Sequence, residues 1–225
     1  MRIGELSERT EVSSASIKFY VREGLLPPPE RVGYNRSEYD DGHAARLRLI
    51  RALLETGGLS VQAAQRVLAA ADDESVPILD LMRTAQAAIP VPEAAASRES
   101  VAAVRAVADR MGWSTHDENP GMLQSARVLD AYRALDLPEL TGLLEPYARA
   151  ADEAARAELA VTVAAPDRSR MAAIVAVGTV LGDTLIAGLR RIAQEAAAHA
   201  AMRDPAQPPA AELRELDRQL DREPS

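Results

Sequence analysis

Apolar residues recur at helical spacing along almost the whole chain, in segments separated by short polar or proline-containing stretches. The first such segment predicts a helix over residues 3–10. After a short turn, Ser13 is placed to cap a second helix that runs to about Glu23. Gly24 follows as a residue that ends helices in the left-handed conformation. Two short helices joined by a tight turn predict a helix-turn-helix.

The next stretch, "LLPPPERVGYNRSEYDD", is not predicted to be helical because it contains three consecutive prolines. Its turn residues and its compactness instead favour a wing, a small hairpin beside the second helix. Two more helices follow. One is capped by Asp40 or Asp41 and runs to about Glu55, and the other is capped by Ser60 and runs through Ala71.

The remainder of the chain also reads as helix, which predicts a mainly α fold: an N-terminal winged helix-turn-helix domain followed by an all-helical bundle domain. Further helices are expected at about 76–89, 93–111, 123–135, 138–164 (with a kink allowed at Pro146) and 167–202. The predicted domains are a winged helix-turn-helix over 1–72, a connecting helix or linker over 73–92, a helical dimerisation or effector domain over 93–203, and a charged tail over 204–225.

Phe19 is the single phenylalanine of the chain, and its position in the second helix is unusual. At about 100° per residue it does not join the apolar side of the helix. It shares the opposite face with Ala15, Lys18 and Arg22. A ring between two cations suits a groove lined by methyl groups and phosphates, whereas the alternative is that Phe19 packs under the wing or a neighbouring helix.

Charge and composition narrow the class of protein. Residues 1–70 carry ten Lys and Arg against nine Asp and Glu, whereas the whole chain has a net charge of −8, so only the first third lacks an acidic excess. The absence of cysteine excludes disulfides and thiolate metal sites. An N-terminus without an apolar block and no uninterrupted apolar run of about 18 residues predict a cytoplasmic protein that does not enter a membrane.

Sites for catalysis, metals or cofactors are not expected. The three histidines, His43, His116 and His199, lie far apart in the sequence and do not form a metal-ligand spacing. The chain has no glycine-rich phosphate loop and no nucleophile elbow. We therefore expect no enzyme activity.

The runs "RIGELSERTEVSSASIKFYVREGLLPPP", "GYNRSEYD" and "ARLRLIRALLETGGLSVQAAQRVL" together resemble the DNA-binding domain of MerR-type transcriptional regulators. The resemblance covers residues 1 to about 70. It implies a homodimer that binds a palindromic promoter site in double-stranded DNA, distorts the duplex and acts together with RNA polymerase. It also implies that a small organic effector can bind the C-terminal part.

In the family, an Arg-Tyr-Tyr-Glu tetrad in the second helix contacts DNA, and the matching positions here are Lys18, Phe19, Tyr20 and Val21. Lys18 keeps the charge but loses the bidentate fork of arginine. Phe19 has no hydroxyl to donate to a phosphate, but it can contact a thymine methyl or a sugar.

The other DNA-contact candidates flank this tetrad. Arg22 lies one turn beyond Lys18 and is either a phosphate or base contact or a solvated side chain. Ser14 either donates to a phosphate or caps the helix. The wing supplies the remaining candidates. The complete predicted DNA-binding set is Ser14, Ala15, Lys18, Phe19, Tyr20, Arg22, Tyr34, Asn35, Arg36 and Tyr39.

Two departures from the family pattern accompany the altered tetrad. The wing has two extra residues between Tyr34 and Tyr39, which leaves open whether Asn35 or Arg36 meets the phosphate. Tyr39 either contacts DNA or anchors the base of the wing to the core. Glu11 stands where a glycine usually makes the turn, and a positive φ there would cost about 1 kcal/mol relative to glycine.

Candidates in the C-terminal part are fewer. Trp113, Tyr132 and Tyr147 are the aromatic residues beyond position 39 and either line a ligand pocket or belong to the core. Glycines inside the last long helix suggest close approach of another helix. The candidate dimer interface is Ile174, Gly178, Leu181, Gly182, Leu185 and Leu189, with packing inside one chain as the alternative.

Two functions remain. The favoured one is a sequence-specific DNA-binding regulator, and the alternative is a ligand- or protein-binding helical module whose N-terminal domain does not read DNA.

Overall fold

The computed structural model describes residues 1–33, 36–91, 95–116 and 119–203, and gives the backbone alone for Gly33, Arg36 and Met202. It confirms a mainly α fold with one two-stranded sheet. The elements are α1 Ile3–Thr10, α2 Ser14–Arg22, β1 Glu30–Gly33, β2 Arg36–Glu38, α3 Asp41–Arg51, a π-helical turn Ala52–Thr56, α4 Val61–Asp72, α5 Ile78–Ala88, α6 Arg98–Met111, α7 Pro120–Ala134, a 3₁₀ helix Pro138–Leu143, α8 Leu144–Val163 and α9 Arg168–Arg203.

The helix-turn-helix is formed by α1 and α2. The turn passes through Glu11, which is left-handed at φ 56° and ψ 26°. At the other end of α2, Gly24 has φ 72°, and the amides of Gly24 and Leu25 donate to the carbonyl groups of Val21 and Tyr20. These two bonds make a Schellman ending, so the chain leaves α2 where the glycine predicted that it would.

The wing is an antiparallel hairpin in which Glu30 pairs with Glu38 and Arg31 with Ser37. Its second strand leads directly to Tyr39, which pairs with the N-terminus of the chain. The Met1 amino group donates to the Tyr39 carbonyl at 2.6 Å, and the Tyr39 amide donates to the Met1 carbonyl at 2.8 Å. The first residue of the chain therefore holds the base of the wing.

The core of this region is built from large aliphatic side chains. The Arg46 guanidinium supports that core, since its Nε donates to the Leu25 carbonyl at 2.8 Å and its two Nη atoms donate to Asp72 at 2.8 and 2.5 Å. It thereby ties α3 to the segment after α2 and to the end of α4. The side chains with no exposed surface in this core include Leu6, Ile17, Leu25, Leu47, Ile50, Leu53 and Val67.

The first part of α9 also enters this core. Ala176 and Val180 are buried in the same apolar cluster, and Ala172 and Val175 pack with Leu81 of α5. A Cβ built on Gly57 would lie 2.4 Å from Val180 Cγ1, so glycine is needed where α9 crosses the end of the π-helical turn. Residues of α9 and of the first helices, far apart in the sequence, therefore share one core.

Helices α7 and α8 both pack on α6, with Ser97 capping α6 and Asn119 capping α7. The starts of α6 and α7 differ from the predictions. Helix α6 begins at Arg98 rather than at 93, because the Ser97 hydroxyl accepts from the Ser100 amide at 3.1 Å. Helix α7 begins earlier than predicted because Pro120 occupies its first turn.

Pro146 is another proline of a helical first turn. It lies in the first turn of α8, where its ring is accommodated, so the predicted kink does not arise there. The segment before it is a 3₁₀ helix rather than the α-helix expected from residue 138.

The chain forms two compact units, Met1–Leu181 and a second from Gly182 onward. Over its described residues, 182–203, the second unit is helical and its large apolar side chains are exposed. Within α9, the stretch Arg168–Ala201 is long and apolar enough to cross a membrane by length and composition. Of the 18 consecutive residues that meet this criterion, 22% are buried. The predicted domain boundaries stay predictions, and the predicted charged tail lies outside the described residues.

Candidate nucleic-acid interface

The start of α2 is arranged to leave its first hydroxyl available. Ser13 caps the helix, since its Oγ accepts from the Ser16 amide at 3.0 Å. Ser14 is the first helical residue and is partly exposed, and Ala15 after it is exposed. The amides of a first helical turn have no carbonyl partner within the helix and suit an anion such as a phosphate. With Ser13 as the cap, Ser14 does not need to perform that role.

The two cations of α2 differ in their partners. Lys18 is exposed and has no ion-pair partner among the residues that the structure describes. Arg22 is 70% exposed, and its Nε donates to Glu23 Oε1 at 3.0 Å. A phosphate approaching this face would meet Lys18 directly, whereas at Arg22 it would compete with the carboxylate of Glu23.

Phe19 lies between Arg22 and Tyr20. The Arg22 guanidinium carbon is 5.1 Å from the centre of the Phe19 ring, a distance typical of a cation–π contact. The rings of Phe19 and Tyr20 meet edge to face at 5.8 Å. Phe19 is partly exposed, while Tyr20 packs against the apolar core. The ring of Phe19 therefore orients Arg22 on the outer face, and Tyr20 fixes that ring from below.

The wing supplies one candidate that sequence reasoning missed. Arg31 is exposed on β1, opposite Ser37. The sequence signal for this candidate is the run "ERVG", which places a cation in the first strand of the predicted wing. The predicted contacts Tyr34 and Asn35 lie outside the described residues, as does the side chain of Arg36.

Tyr39 lies at the base of the wing and is 7% exposed. Its ring meets His43 edge to face at 5.2 Å, and burial raises the pKa of its phenol. This position favours the anchoring alternative, because a buried phenol at the core cannot also reach a phosphate on the outer surface.

The three C-terminal aromatic residues have separate surroundings. Trp113 Nε1 donates to Asp152 Oδ1 at 2.9 Å, and Arg156 Nε donates to Asp152 Oδ2 at 2.7 Å. These bonds lower the pKa of the Asp152 carboxyl and join the end of α6 to α8. Tyr132 is partly buried on α7 and Tyr147 is exposed on α8. A shallow cleft is lined by Arg48, Arg51, Ala52, Glu55 and Thr56, so it does not involve the predicted ligand residues.

The predicted interface residues of α9 fall on both sides of the boundary between the two units. Leu181, the last residue of the first unit, packs partly against the core of that unit, whereas Leu185 and Leu189 of the second unit are 64% and 56% exposed. A Cβ built on Gly178 would meet nothing within 4 Å, so no helix of the same chain approaches it closely over the described residues. The close approach that a mid-helix glycine suggests is therefore not made within one chain at this position.

Metal chemistry finds no support in the described ranges, where His, Asp and Glu form no group of three or more that could hold an ion. What the first region does contain is a capped helix with an exposed lysine, an arginine paired with its neighbour, an aromatic ring and an adjacent wing.

Known proteins are similar in sequence to part of this chain. The family model described as MerR HTH family regulatory protein matches residues 1–71. The chain is 36% identical over 50 residues to the HTH-type transcriptional regulator ZntR homolog of Haemophilus influenzae, covering 22% of this chain and 37% of that protein. It is 38% identical over 56 residues to the mercuric resistance operon regulatory protein of Bacillus cereus, covering 25% and 42%. The chain thus spans about two fifths of the length of these curated relatives.

A solved structure extends the similarity over nearly the whole chain. The crystal structure of SCO5550 from Streptomyces coelicolor A3(2), described as a transcriptional regulator, is similar with a TM-score of 0.63 and 32% identity. The match covers 92% of this chain and 99% of that one. The helical region after residue 71 is therefore part of the similarity, although the family model ends there.

Proposed function

Because this chain belongs to the MerR-type transcriptional regulators, we propose that it is a sequence-specific DNA-binding regulator of transcription. It acts in the cytoplasm, as a homodimer on a palindromic promoter site. The observation that carries the proposal is the outer face of α2, where an exposed Lys18 without an ion-pair partner in the described chain lies beside the Arg22–Phe19 pair. The rest of α2 is fixed by the core, so this face is presented on a rigid element.

The two copies would place α2 in successive major grooves while each wing grips the adjacent backbone. Lys18 and the first-turn amides at Ser14 would hold phosphates, and these contacts set register rather than sequence. Phe19 would contact a thymine methyl or a sugar. Distortion of the duplex would add to the specificity and would bring the promoter into the form that RNA polymerase uses.

The test is a binding measurement on the DNA upstream of the protein's own gene, repeated over a range of salt. Lys18→Ala and Arg22→Ala should each weaken binding by about tenfold and lower the salt slope by about 1, because each removes one phosphate contact. Arg83→Ala is the matched control, since Arg83 is an exposed α5 cation that pairs with Asp80 at 2.9 Å. Unchanged affinity and slope in both α2 variants, with the control also unchanged, would contradict the proposal.

A small organic effector is a further part of the proposed regulation, with Trp113, Tyr132 and Tyr147 as the candidate ligand residues. The Trp113–Asp152 bond supports a site at the junction of α6 and α8, because a ligand there would compete for the indole N–H. Trp113 is the one tryptophan of the chain, so its fluorescence reports binding without interference from another indole. An effector that changes operator affinity but leaves this fluorescence unchanged would place the ligand elsewhere.

A further inference from the structure

Lys18 is the single lysine of the chain. The sequence has 26 lysines and arginines, and arginine occupies every other one of these positions. The two side chains carry the same charge but differ in chemistry. The guanidinium of arginine keeps its proton in proteins, whereas the amine of lysine can release one and then act as a nucleophile. The chain therefore presents one nucleophilic side-chain amine, and it stands in α2.

The position of this lysine makes the choice of side chain informative. Lys18 stands on the outer face of α2, where the proposed function requires a cation to hold a phosphate. An arginine there would bind a phosphate through two parallel hydrogen bonds, and lysine gives up that geometry. The exchange weakens the contact, so a property of the amine that arginine lacks would account for it.

The surroundings of Lys18 leave its amine open to a reagent. The side chain is exposed and has no ion-pair partner within the part of the chain that the structure describes. One turn towards the start of α2 lie the small residues Ser14 and Ala15, of which Ala15 is exposed. One turn in the other direction, the guanidinium of Arg22 is engaged with the Phe19 ring. The amine of Lys18 is thus accessible from solvent.

We propose that Lys18 is a site of Nε-acylation and that the acyl donor is an acyl thioester. The free-base amine attacks the carbonyl carbon of the thioester, the amide N–C bond forms and the C–S bond breaks. The departing thiolate takes up the proton that the amine releases, so the products are a neutral amide and a thiol. The inference rests on the proposed function, because it regulates the same face of α2, but the reaction can be followed without DNA.

Acylation fits this position because it removes the charge. A methylated lysine stays cationic and would still hold a phosphate, so methylation would change little. An acylated lysine is neutral and no longer attracts the DNA backbone. Acylation of Lys18 therefore weakens operator binding by about tenfold and lowers the salt slope by about 1, because one phosphate contact is lost.

The second amine of the chain is the Met1 amino group. It differs from the Lys18 amine because it is partly buried and donates to the Tyr39 carbonyl at 2.6 Å. A thioester can also react with it. Every variant used below retains this amino group, so any effect of its acylation appears equally in the controls.

The first measurement locates the modification. The purified full-length chain is treated with acetyl-coenzyme A, and peptide mass mapping should find acetylated Lys18. Operator DNA at about ten times its Kd should slow that reaction by about tenfold, because only the unbound chain exposes the amine. A lysine introduced by Arg98→Lys, at the exposed start of α6, is the matched control and should react at the same rate with and without DNA.

The second measurement tests the consequence for DNA binding. Operator affinity is compared before and after the treatment in the natural chain, in Lys18→Arg, and in Lys18→Arg combined with Arg98→Lys. Treatment should weaken binding in the natural chain alone, because both variants carry a cation at position 18 that a thioester does not modify. The combined variant still contains one lysine, so it controls for acetylation as such. Lys18→Gln carries a neutral amide and should reproduce the loss without treatment.

The third measurement is made on protein isolated from its own cells, grown on acetate and on a second carbon source. An acyl group on Lys18 in part of the molecules supports the inference. An unmodified Lys18 under both conditions, a methyl group in its place, or an operator affinity that acetylation of Lys18 leaves unchanged would each overturn it. A natural chain that binds no operator DNA before treatment contradicts the proposed function instead, and the mass maps still decide whether Lys18 is acylated.

Discussion

The helix-turn-helix region and the bundle formed by α6, α7 and α8 bury different kinds of residue. In the first region most of the fully buried side chains are large aliphatic groups, such as Leu6, Ile17 and Leu47, although Ala44 and Ala64 are buried with them. In the bundle the buried residues include the alanines Ala108, Ala126 and Ala148, with Val107, Met122 and Leu129 as the larger members, together with Ser100 and Thr162. Fewer methylene groups leave the solvent per buried residue in the bundle, so its hydrophobic stabilisation is smaller.

The exposed apolar residues show the same contrast. Within the described part of residues 1–72, Val32 on the wing is the one large apolar side chain that is strongly exposed. Helices α7 and α8 and the 3₁₀ helix between them expose many more: Val128, Leu135, Leu137, Leu143, Tyr147, Leu159, Val161 and Val163. The first region therefore resembles a finished globular core, whereas the bundle retains apolar surface.

The bundle compensates with polar links between its helices. Asp130 of α7 accepts from the Ser97 amide at 2.7 Å, from the Ser97 hydroxyl at 2.6 Å and from the Ser100 hydroxyl at 2.5 Å. Arg133 donates to Ser100 Oγ and lies 3.3 Å from Glu99. Such bonds depend on geometry and ionisation, so the bundle is expected to respond to pH and to a bound effector more readily than the aliphatic core.

The largest expected effect comes from emptying the aliphatic core. Leu47→Ala should lower the free energy of unfolding by about 2–5 kcal/mol, because Leu47 is fully buried among large neighbours that cannot close the cavity. Leu129→Ala is the matched change in the bundle. We expect it to cost about 2 kcal/mol or less, since surroundings of small residues relax more easily. Urea titrations followed by circular dichroism measure both.

Trp113 fluorescence in the same titrations sharpens the comparison, because that residue reports on the bundle alone. Leu129→Ala should shift the fluorescence transition to lower urea, whereas Leu47→Ala should shift mainly the circular dichroism signal. Equal costs for the two substitutions would remove the contrast between the regions.

The contrast also explains what could be predicted from the sequence. In the first region, the sequence predicts α1 with its observed bounds, Ser13 and Ser60 cap the helices that they are expected to cap, and of the two candidates Asp40 and Asp41 it is Asp40 that caps α3. Capping side chains and a strong aliphatic period are local signals that the sequence states directly. In the alanine-rich part, apolar periodicity is weak because alanine is common on every face. The start of α6 was therefore placed too early.

The packing of α9 shows a second limit of sequence reasoning. Which of its faces enters the core depends on the contact between Val180 and Gly57, which are more than a hundred residues apart in the sequence. No local pattern encodes that contact. For the candidate interface, the composition of the outer face of α2 was predictable, whereas the ion pair of Arg22 with Glu23 and the burial of Tyr39 required coordinates.

Acid should affect the polar links of the bundle before it affects the aliphatic core. Hydrogen bonds from Ser100 and Ser97 lower the pKa of Asp130 to about 2. Because the folded pKa lies below the unfolded value of 3.8, the stabilisation is present above pH 4 and is lost as the pH falls towards 2. Asp130→Asn should therefore lower stability at neutral pH and flatten its dependence on pH between 4 and 2. Thermal melts across that range, followed by Trp113 fluorescence, measure both effects.

Asp80→Asn is the control for this pH dependence, because Asp80 pairs with Arg83 on the exposed side of α5 and outside the bundle. If Asp130→Asn retained the pH dependence of the natural chain in this range, other carboxylates would be responsible for it. The interpretation of the bundle as held by polar links would then be wrong.

The smallest expected effect concerns the turn of the helix-turn-helix. Glu11 has φ 56°, a conformation that costs a residue with a side chain about 1 kcal/mol relative to glycine. Arg51 offsets part of this cost, since its Nη1 lies 3.9 Å from Glu11 Oε2 and also donates to the Thr10 carbonyl at 3.2 Å. Glu11→Gly should thus raise the free energy of unfolding by less than about 1 kcal/mol. Glu8→Gly, in the helical part of α1, should instead lower it by a similar amount. Urea titrations of the two variants measure both changes. A loss of stability in Glu11→Gly would mean that the Arg51 contact outweighs the backbone strain at Glu11. The helix-turn-helix would then also depend on a polar link.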